Sequence, residues 1–486
     1  MTRAAALAPL LVLLALSAAK ATPPDQDLAA GLAALSLSHS AAEAQQGAHA
    51  LQAQVGLSPA QAFPNAPLAA FVLGGSAQVQ LVDMRLLLAQ IAVQSGAKDH
   101  LVLTQAQAAG AHQVILLRGG FVNFKQLQSL MASSAAAAFV TDGPQGVTLT
   151  RALVIWPDAG LTLSSGESLI LSRAEGSFLA NLGWLNIQGA AVRGSETANL
   201  GAPTFRPFVL TAGQGSVTIT DASFAHLGFG DTPRFGGVSV DNSGLRGPKT
   251  PPVITQSRFD DVQTLALIST KSATVSDNAV SGGSILIAHS QSAVVAANFL
   301  TNAMTASIRI TSGSTRTRVL GNVVLSGSVG ISVDQASQTT TLLSNVLAGQ
   351  ASSGIKLDKI GCAQVLGNLA AQGLGAGISV SGTGQVAIAG NAIFDNSGPG
   401  ILVRAQGEHA SLQITGNRLA GNHEGLRGAT AGALTLSGND LEGQLPRLFA
   451  GDLAQHTIAW LQDRRSFGPT RLKAAPVPQC PDEGSN

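Results

Sequence analysis

The sequence has little charge of either sign and no tyrosine at all. Its 486 residues contain 28 Lys and Arg against 27 Asp and Glu, which gives 11% charged residues and a net charge of +1. A net charge so close to zero provides no global field that would attract nucleic acid or an acidic membrane surface. The composition also excludes a disordered chain, because 45% of the residues are hydrophobic and disorder requires few apolar residues.

Cysteine is scarce, and the common motifs of catalysis and cofactor binding are missing. Cys362 and Cys480 are 118 residues apart, and this spacing leaves a disulfide between them open. The sequence has no nucleophile elbow, no His and Cys pattern with metal-ligand spacing, no glycine-rich phosphate loop and no calcium-binding loop. We therefore expect no cofactor and assign no metal ligands.

The N-terminus has the features of a secretory signal peptide. Arg3 supplies the positive start, residues 7–19 form an apolar core, and Ala19-Lys20-Ala21 fits the small-x-small cleavage rule. The alternative is an anchor helix, but the apolar run is short for a membrane span. We predict a signal peptide over residues 1–21, a periplasmic location and no membrane span in the mature chain.

Eight asparagines recur at a nearly constant interval in the second half of the chain. They are Asn278, Asn298, Asn322, Asn345, Asn368, Asn391, Asn417 and Asn439. The first and last are seven intervals and 161 residues apart, so the mean period is 23 residues. A fixed period of this size is typical of a solenoid in which each repeat is one coil. Asparagines at the same point of each coil can form a hydrogen-bonded ladder along the axis.

A second marker runs in phase with the asparagines and indicates strands. It is a glycine followed by isoleucine, at Gly330, Gly354, Gly377 and Gly400. The segments between markers are short, rich in Val, Ile, Leu, Ser and Thr, and bounded by turn residues, which is typical of strands rather than helix pairs. The sequence therefore predicts an all-β fold, a right-handed parallel β-helix.

The β-helix occupies most of the chain, with different composition at both ends. Residues 22–110 are rich in Ala, Gln and Leu with helical spacing, and we predict a helical segment that caps the N-terminal end of the solenoid. We place the β-helix at residues 111–450. Residues 451–486 lose the period and end in prolines, so we predict a C-terminal cap and tail there.

Alternation along each strand predicts which side chains leave the coil. In the Gly-Ile frame the isoleucines point inward, and three columns of residues point outward. The first column is Leu286, Arg309, Ser332, Lys356, Ser379 and Leu402. The second is Ala288, Thr311, Asp334, Asp358, Ser381 and Arg404, and the third is His289, Ser312, Gln335, Lys359, Gly382 and Ala405.

These columns predict a strip that suits an extended acidic polysaccharide. Arg309, Lys356, Lys359 and Arg404 stand among small polar residues, and such cations pair with carboxylates repeated along a polymer. The alternative is a solvated face whose charges only keep the solenoid soluble. We therefore name an acidic polysaccharide as the expected partner, and we expect a monomer.

Two features of the strip are candidates for chemistry. Asp334 and Asp358 share a column one coil apart, so their carboxylates would be roughly 5 Å apart, the spacing used in retaining glycoside hydrolysis. An ion-pair cluster with Lys356 and Lys359 is the alternative for this pair. His289 is a candidate base, since a histidine titrates near neutral pH, although a lone surface histidine is more often idle.

Three segments of the sequence carry a family resemblance. They are residues 168–193 (SLILSRAEGSFLANLGWLNIQGAAVR), residues 204–229 (TFRPFVLTAGQGSVTITDASFAHLGF) and residues 235–240 (FGGVSV). In order and spacing they are similar to the periplasmic mannuronan C5-epimerases of alginate biosynthesis. The resemblance covers roughly residues 110–440. It implies a parallel β-helix that inverts C5 of mannuronate within the polymer, by removing the C5 proton while a cation stabilises the carboxylate.

The chain departs from that family at the catalytic motif. Where the family has Asp-Pro-His-Asp, the Gly-Ile frame places Leu286-Ile287-Ala288-His289, with the histidine one position late. The family's neutralising arginine falls at Ser312 and a later arginine at Gln335, whereas its aspartate is kept as Asp334. The family's groove tyrosines cannot be present in a chain without Tyr.

Three functions remain open from the sequence. In the first, the protein is an epimerase with His289 as base, Asp334 in the site, and Arg309 or Lys356 neutralising the uronate, while Asp358, Lys359 and Arg404 help to bind the polymer. In the second, it binds and guides an exopolysaccharide without chemistry, for which a secretion complex is a further partner. A polysaccharide hydrolase or lyase is the third.

Overall fold

The computed structural model describes residues 24–59, 74–95, 100–107, 112–196, 204–244, 247–430, 432–444 and 446–466. The predicted signal peptide, Cys480 and most of the predicted tail lie outside these residues. Five helices and two long strands precede the coils. They are α1 (Pro24–Leu35), α2 (Ala41–Gln54), β1 (Gly74–Asp83), α3 (Met84–Ser95), α4 (His100–Gln105), β2 (Gln113–Asn123) and α5 (Phe124–Ala132).

Short strands of aliphatic and β-branched residues, separated by tight turns, follow in chain order. The first are β3 (Val140–Gly143), β4 (Gly146–Leu149), β5 (Ala152–Ile155), β6 (Gly160–Leu163), β7 (Ser168–Leu171), β8 (Leu179–Asn181), β9 (Trp184–Gln188), β10 (Ala191–Gly194), β11 (Val209–Ala212), β12 (Ser216–Thr220), β13 (Ser223–Leu227), β14 (Gly237–Asp241), β15 (Val253–Thr255), β16 (Arg258–Val262), β17 (Thr264–Ile268), β18 (Thr274–Ser276), β19 (Ala279–Ser281), β20 (Ser284–Ala288), β21 (Val294–Ala296) and β22 (Phe299–Thr301).

The same pattern continues to the last coil. The remaining strands are β23 (Ala306–Thr311), β24 (Arg318–Leu320), β25 (Val323–Leu325), β26 (Val329–Asp334), β27 (Thr340–Leu343), β28 (Val346–Ala348), β29 (Ser353–Asp358), β30 (Cys362–Leu366), β31 (Leu369–Ala371), β32 (Ala376–Ser381), β33 (Gln385–Ala389), β34 (Ala392–Phe394), β35 (Pro399–Gln406), β36 (Ser411–Thr415), β37 (Arg418–Ala420), β38 (Glu424–Thr430), β39 (Ala433–Ser437) and β40 (Phe449–Gly451), and α6 spans Thr457–Ser466. One-turn 3-10 helices lie at Ala135–Phe139, Pro233–Phe235, Glu442–Gln444 and Asp452–His456.

Every third strand pairs in parallel with its counterpart in the next coil, which produces three sheets. Sheet A contains β5, β8, β11, β14, β17, β20, β23, β26, β29, β32, β35, β38 and β40. Sheet B runs from β6 through β9 and β12 to β39, and sheet C from β4 through β7 and β10 to β37. This architecture confirms the predicted right-handed parallel β-helix.

The interior is filled by stacked aliphatic side chains and by the predicted asparagine ladder. The isoleucines of the Gly-Ile frame, such as Ile331 and Ile355, are fully buried. The Nδ2 of each of the first seven asparagines donates to the Oδ1 of the next at 2.8–3.0 Å. The ladder is confirmed, and it satisfies buried amides at the corner between sheets B and C.

The helices before the coils cover different parts of the solenoid. β1 pairs antiparallel with β2, and the apolar face of α5 packs Leu127 and Met131 into the first coils. α1 and α2 instead lie along the outer face of sheet C, where Leu32 and Leu51 contact a surface that includes Val346.

Within the segment for which we predict a cap, α1 and α2 lie along the side of the solenoid, whereas β1 packs against the first coils. The outward residues of sheet C are apolar from Phe299 through Leu369 to Phe394, and a sheet that is apolar on both faces must be covered. Gln52 of α2 is buried and donates to the carbonyl of Ser344 at 2.7 Å, which fixes the helix on the coils. The domain boundaries drawn from the sequence stay a prediction.

Among the helices of the described residues, none has the length and apolar character that a membrane crossing requires. At the C-terminal end, Leu453 packs onto the last coil. The Phe449 and Trp460 rings meet edge to face, with their centroids 6.3 Å apart.

Candidate functional site

The outer face of sheet A carries the predicted columns. Its registers align Leu286 with Arg309, Arg309 with Ser332, and Ser332 with Lys356, and they continue through Ser379 to Leu402. The second column aligns in the same way from Asp334 to Arg404. We call the outward residues of sheet A from β20 to β38, together with the third-column residues that follow these strands, the strip. Because neighbouring strands are roughly 4.8 Å apart, the strip is about 29 Å long.

The cation nearest the start of the strip is already paired. The Arg309 Nε donates to Oδ2 of Asp334 at 3.0 Å, across one coil and one column. The Thr311 hydroxyl donates to the other carboxylate oxygen of Asp334. The Asp334 side chain is only 14% exposed, against 44% for Arg309. Sequence reasoning placed both residues on the strip but missed this diagonal contact.

Three predicted cations lie further along the strip without a carboxylate. Lys356, Lys359 and Arg404 form no salt bridge with any part of the chain that the structure describes. The Lys359 side chain lies over Gly382 in the next coil, where an added Cβ would be 3.4 Å from its Cγ. The glycine therefore leaves room for the lysine to extend toward the coil of Arg404.

Small polar residues form the floor between these cations. Ser332 and Ser379 lie on either side of Lys356 in the first column and are 6% and 3% exposed. Ser381 aligns with Arg404 in the second column. The strip thus combines a flat hydroxyl floor with positive side chains above it, an arrangement that can bind carboxylates.

His289 lies at the edge of the strip, in the turn from sheet A to sheet B. Its backbone is left-handed, with φ of 50°, as are Ser312, Gln335 and Lys359 in the same column. The imidazole is exposed, and no hydrogen bond to it is found within the described part of the chain. Its neighbours at the family's motif positions are Leu286 and Ala288, neither of which can orient a base.

The Asp334 and Asp358 positions are adjacent in the register of β26 and β29, as predicted. Asp334 is held by Arg309 and Thr311. A nucleophile or acid in glycoside hydrolysis needs a carboxylate facing the substrate. Because the carboxylate of Asp334 is bound by Arg309 and Thr311, its geometry does not support the hydrolase hypothesis.

A cluster that sequence reasoning missed lies at the corner between sheets C and A. The His226 Nδ1 is 3.0 Å from Oδ2 of Asp261, and Arg206 reaches the same oxygen at 3.0 Å. Burial raises the pKa of Asp261, but the hydrogen bond from His226 and the charge of Arg206 outweigh it, so the net pKa is lowered. His226 and Asp261 both have positive φ, which the sequence pattern does not predict.

Metal ligation has no support in the described part of the chain. No group of three or more His, Cys, Asp or Glu side chains there could hold a metal ion. Arg234 and Asp241, upstream of the strip, form a buried ion pair with Nε and Oδ2 2.6 Å apart.

Residues 252–442 match a protein family described as periplasmic copper-binding protein (NosD), and this is less than half of the chain. The mannuronan C5-epimerase of Pseudomonas aeruginosa is 30% identical over 172 residues, which are 34% of this chain and 30% of that protein. The mannuronan C5-epimerase of Pseudomonas syringae pathovar tomato is 30% identical over 135 residues, which are 26% and 24%. The chain thus matches less than a third of either relative's length.

The crystal structure of the periplasmic alginate epimerase AlgG has the same fold. It superposes with a TM-score of 0.66 at 18% identity and covers 78% of this chain and 99% of that chain. At this identity the likeness shows the fold alone. Together, the matches confirm the similarity to mannuronan C5-epimerases and the parallel β-helix fold.

Proposed function

We propose that this protein binds an acidic polysaccharide, a polyuronate such as alginate, along the strip of sheet A. This proposal is supported by three cations on the strip that have no carboxylate partner among the described residues. They are Lys356, Lys359 and Arg404. Isolated surface cations are worth little individually. Lys356 and Lys359 lie on and just after β29, and Arg404 lies two sheet A strands further along on β35. Cations placed in this way along one face match a ligand whose negative charges repeat along a line.

The geometry supports binding better than epimerisation. An epimerase needs a base and a cation on the same uronate, because the carboxylate must be neutralised as the C5 proton leaves. His289 follows β20, and Lys356 lies on β29, three sheet A strands further on. At roughly 4.8 Å per strand the two are about 14 Å apart along the axis. Arg309 is nearer, but its guanidinium is bound to Asp334.

The protein would carry out this role after export. A periplasmic location is supported by the signal-like N-terminus, and the resemblance to alginate epimerases supports a part in exopolysaccharide biosynthesis. A protein that guides a polymer without altering it would act beside a secretion complex, as a monomer whose strip stays open to the chain.

Binding to polymannuronate, compared with a neutral glucan, tests this function. We expect binding to the acidic polymer only, with an affinity that falls as salt rises because exposed charges are screened. Lys356→Ala is expected to weaken it roughly fivefold, the effect of about 1 kcal/mol. Lys125→Ala, on the exposed face of α5 and far from the strip, is the matched control. Equal binding of both polymers would refute the proposal.

Epimerisation is the second candidate, favoured by the exposed imidazole of His289 at the strip's edge. Proton NMR of polymannuronate incubated with the protein in D2O decides it. Guluronate signals carrying deuterium at C5, lost in His289→Ala, would establish an epimerase. We expect no exchange, because no described side chain orients His289 and Arg309, the nearest cation on the strip, is paired with Asp334.

A further inference from the structure

We infer that the strip is closed at its N-terminal end, so that it takes the end of an acidic polysaccharide chain rather than a stretch of its interior. This inference rests on the proposed function. It depends on what covers sheet A before β20, which nothing in the sequence pattern indicates. The covering structure consists of residues 204–208, which precede β11, and residues 228–236, which precede β14, together with α3, and we call it the wall.

The wall buries the first outward column of sheet A upstream of the strip. Five residues of this column are 0–1% exposed: Val154, Ala180, Leu210, Ser239 and Ala266. The column becomes accessible at Leu286 on β20. A polymer lying along sheet A therefore loses its supporting surface between β17 and β20.

Aromatic side chains anchor the wall firmly. Phe208 stacks on Phe235 with ring centroids 4.7 Å apart, and Phe205 meets Phe229 at 5.1 Å. All four rings are buried with Leu87 of α3 in one apolar cluster. Aromatic pairs of this kind add about 0.5–1.5 kcal/mol each beyond the area that they bury, so the wall is a fixed part of the fold.

A buried ion pair ties the end of the wall to the sheet itself. Asp241 is the last residue of β14, aligned with Ile268 in the second outward column, and is fully buried. Arg234 from the wall donates to it at 2.6 Å, and the Ser239 hydroxyl donates to the Arg234 carbonyl. The same outward positions that bind polymer further along are here occupied by the chain itself.

Among the described residues, the opposite end of the strip stays accessible to solvent. Arg427 on β38 has a side chain that is 52% exposed, and the next residue in its column, Ala450, is only partly buried. The strip therefore has one closed end and one open end, with about 29 Å of surface between them. This geometry suits a site that receives the terminus of a chain. Since a glycan chain has two chemically different ends, one orientation should fit.

The number of protein molecules bound per polymer chain distinguishes the two modes. Light scattering of the complexes would be measured with polymannuronate fractions of three defined lengths, the longest several times the shortest. We expect one protein per chain at every length, and Lys356→Ala should lower the affinity without changing that ratio. A ratio that grows in proportion to length would overturn the inference and leave the proposed function standing. Absence of any complex would overturn both.

Discussion

The guanidinium of Arg309 donates through Nε to Oδ2 of Asp334 at 3.0 Å, linking two neighbouring coils of sheet A. This contact divides the strip into a charge-neutral start beside His289 and a positive stretch that contains Lys356, Lys359 and Arg404. A cation engaged in this way cannot also neutralise a uronate without losing its partner, and leaving the largely buried carboxylate of Asp334 unpaired is costly.

Removing the Asp334 charge should therefore strengthen polymer binding. Asp334→Asn keeps an oxygen that can accept from Thr311, while it frees Arg309 and removes a repulsive carboxylate. We expect the affinity for polymannuronate to rise roughly fivefold, the equivalent of about 1 kcal/mol, as measured by calorimetric titration. Adding Arg309→Ala to this variant should reverse much of the gain. An unchanged affinity in Asp334→Asn would show that Arg309 does not face the polymer.

The asparagine ladder should make a measurable contribution to stability. In Asn345→Ala the backbone amide of Asn322 and the carbonyl of Val319 lose their partners in a fully buried position. Buried groups left unpaired cost about 1–3 kcal/mol each, so we expect a loss of about 3 kcal/mol in the free energy of unfolding by urea. Gln385→Ala, on an exposed position of sheet B, should stay within about 0.5 kcal/mol of the wild type.

Placing a charge under α2 should detach α1 and α2 without unfolding the coils. Leu51 is 3% exposed against sheet C, whereas Leu37 is 73% exposed. Leu51→Glu buries an unpaired carboxylate, but each coil still packs on its neighbours. We expect protease cleavage within residues 24–59 and new binding of an apolar dye, with the β-sheet circular dichroism retained. Leu37→Glu should behave as the wild type, and cooperative loss of the whole fold in Leu51→Glu would contradict this account.

The corner cluster should make stability depend on pH in one direction. The pKa of Asp261 is lowered from its ordinary value of 3.8 by His226 and Arg206, against the effect of burial. A carboxyl with a lowered pKa stabilises the fold above its unfolded pKa, and this contribution is lost as pH falls through the folded pKa.

Asp261→Asn should accordingly be less stable than the wild type at neutral pH. The difference should vanish as the pH is lowered past 3.8 toward the lowered pKa, when wild-type Asp261 also becomes neutral. Thermal melts across this pH range measure it, with Asp231→Asn at an exposed position as the control. A difference that persists at the acid end would assign the effect to packing instead of charge.

The sequence predicted the parts of the fold that repeat. The asparagine ladder and the order of Arg309, Ser332 and Lys356 along sheet A followed from a period that is uniform enough to count, together with the two-residue alternation of a strand. The sequence did not show the contacts that join different coils or that join a coil to a segment packed across it. The contact of Arg309 with Asp334 is diagonal, so column positions alone do not reveal it.

The covering segments were harder to predict, although one left a signal. The run of apolar outward residues on sheet C, from Phe299 to Phe394, indicated that something must cover it, but not that α1 and α2 would. The sequence contains no pattern that predicts the wall, because Phe205 and Phe235 are far apart in the sequence and Arg234 reaches Asp241 only after a turn. Long-range packing of this kind depends on side-chain shape, which a hydrophobic pattern does not encode.

The binding isotherm of polymannuronate with a triple variant, Lys356→Ala, Lys359→Ala and Arg404→Ala, beside the wild type, tests most directly whether this face of sheet A binds the polymer. All three side chains are solvent-accessible on the strip, so the coils should remain folded. We predict a loss of about 3 kcal/mol, or roughly a hundredfold in affinity, if each cation contributes about 1 kcal/mol. Wild-type affinity in the triple variant would contradict the claim that this face of sheet A binds the polymer.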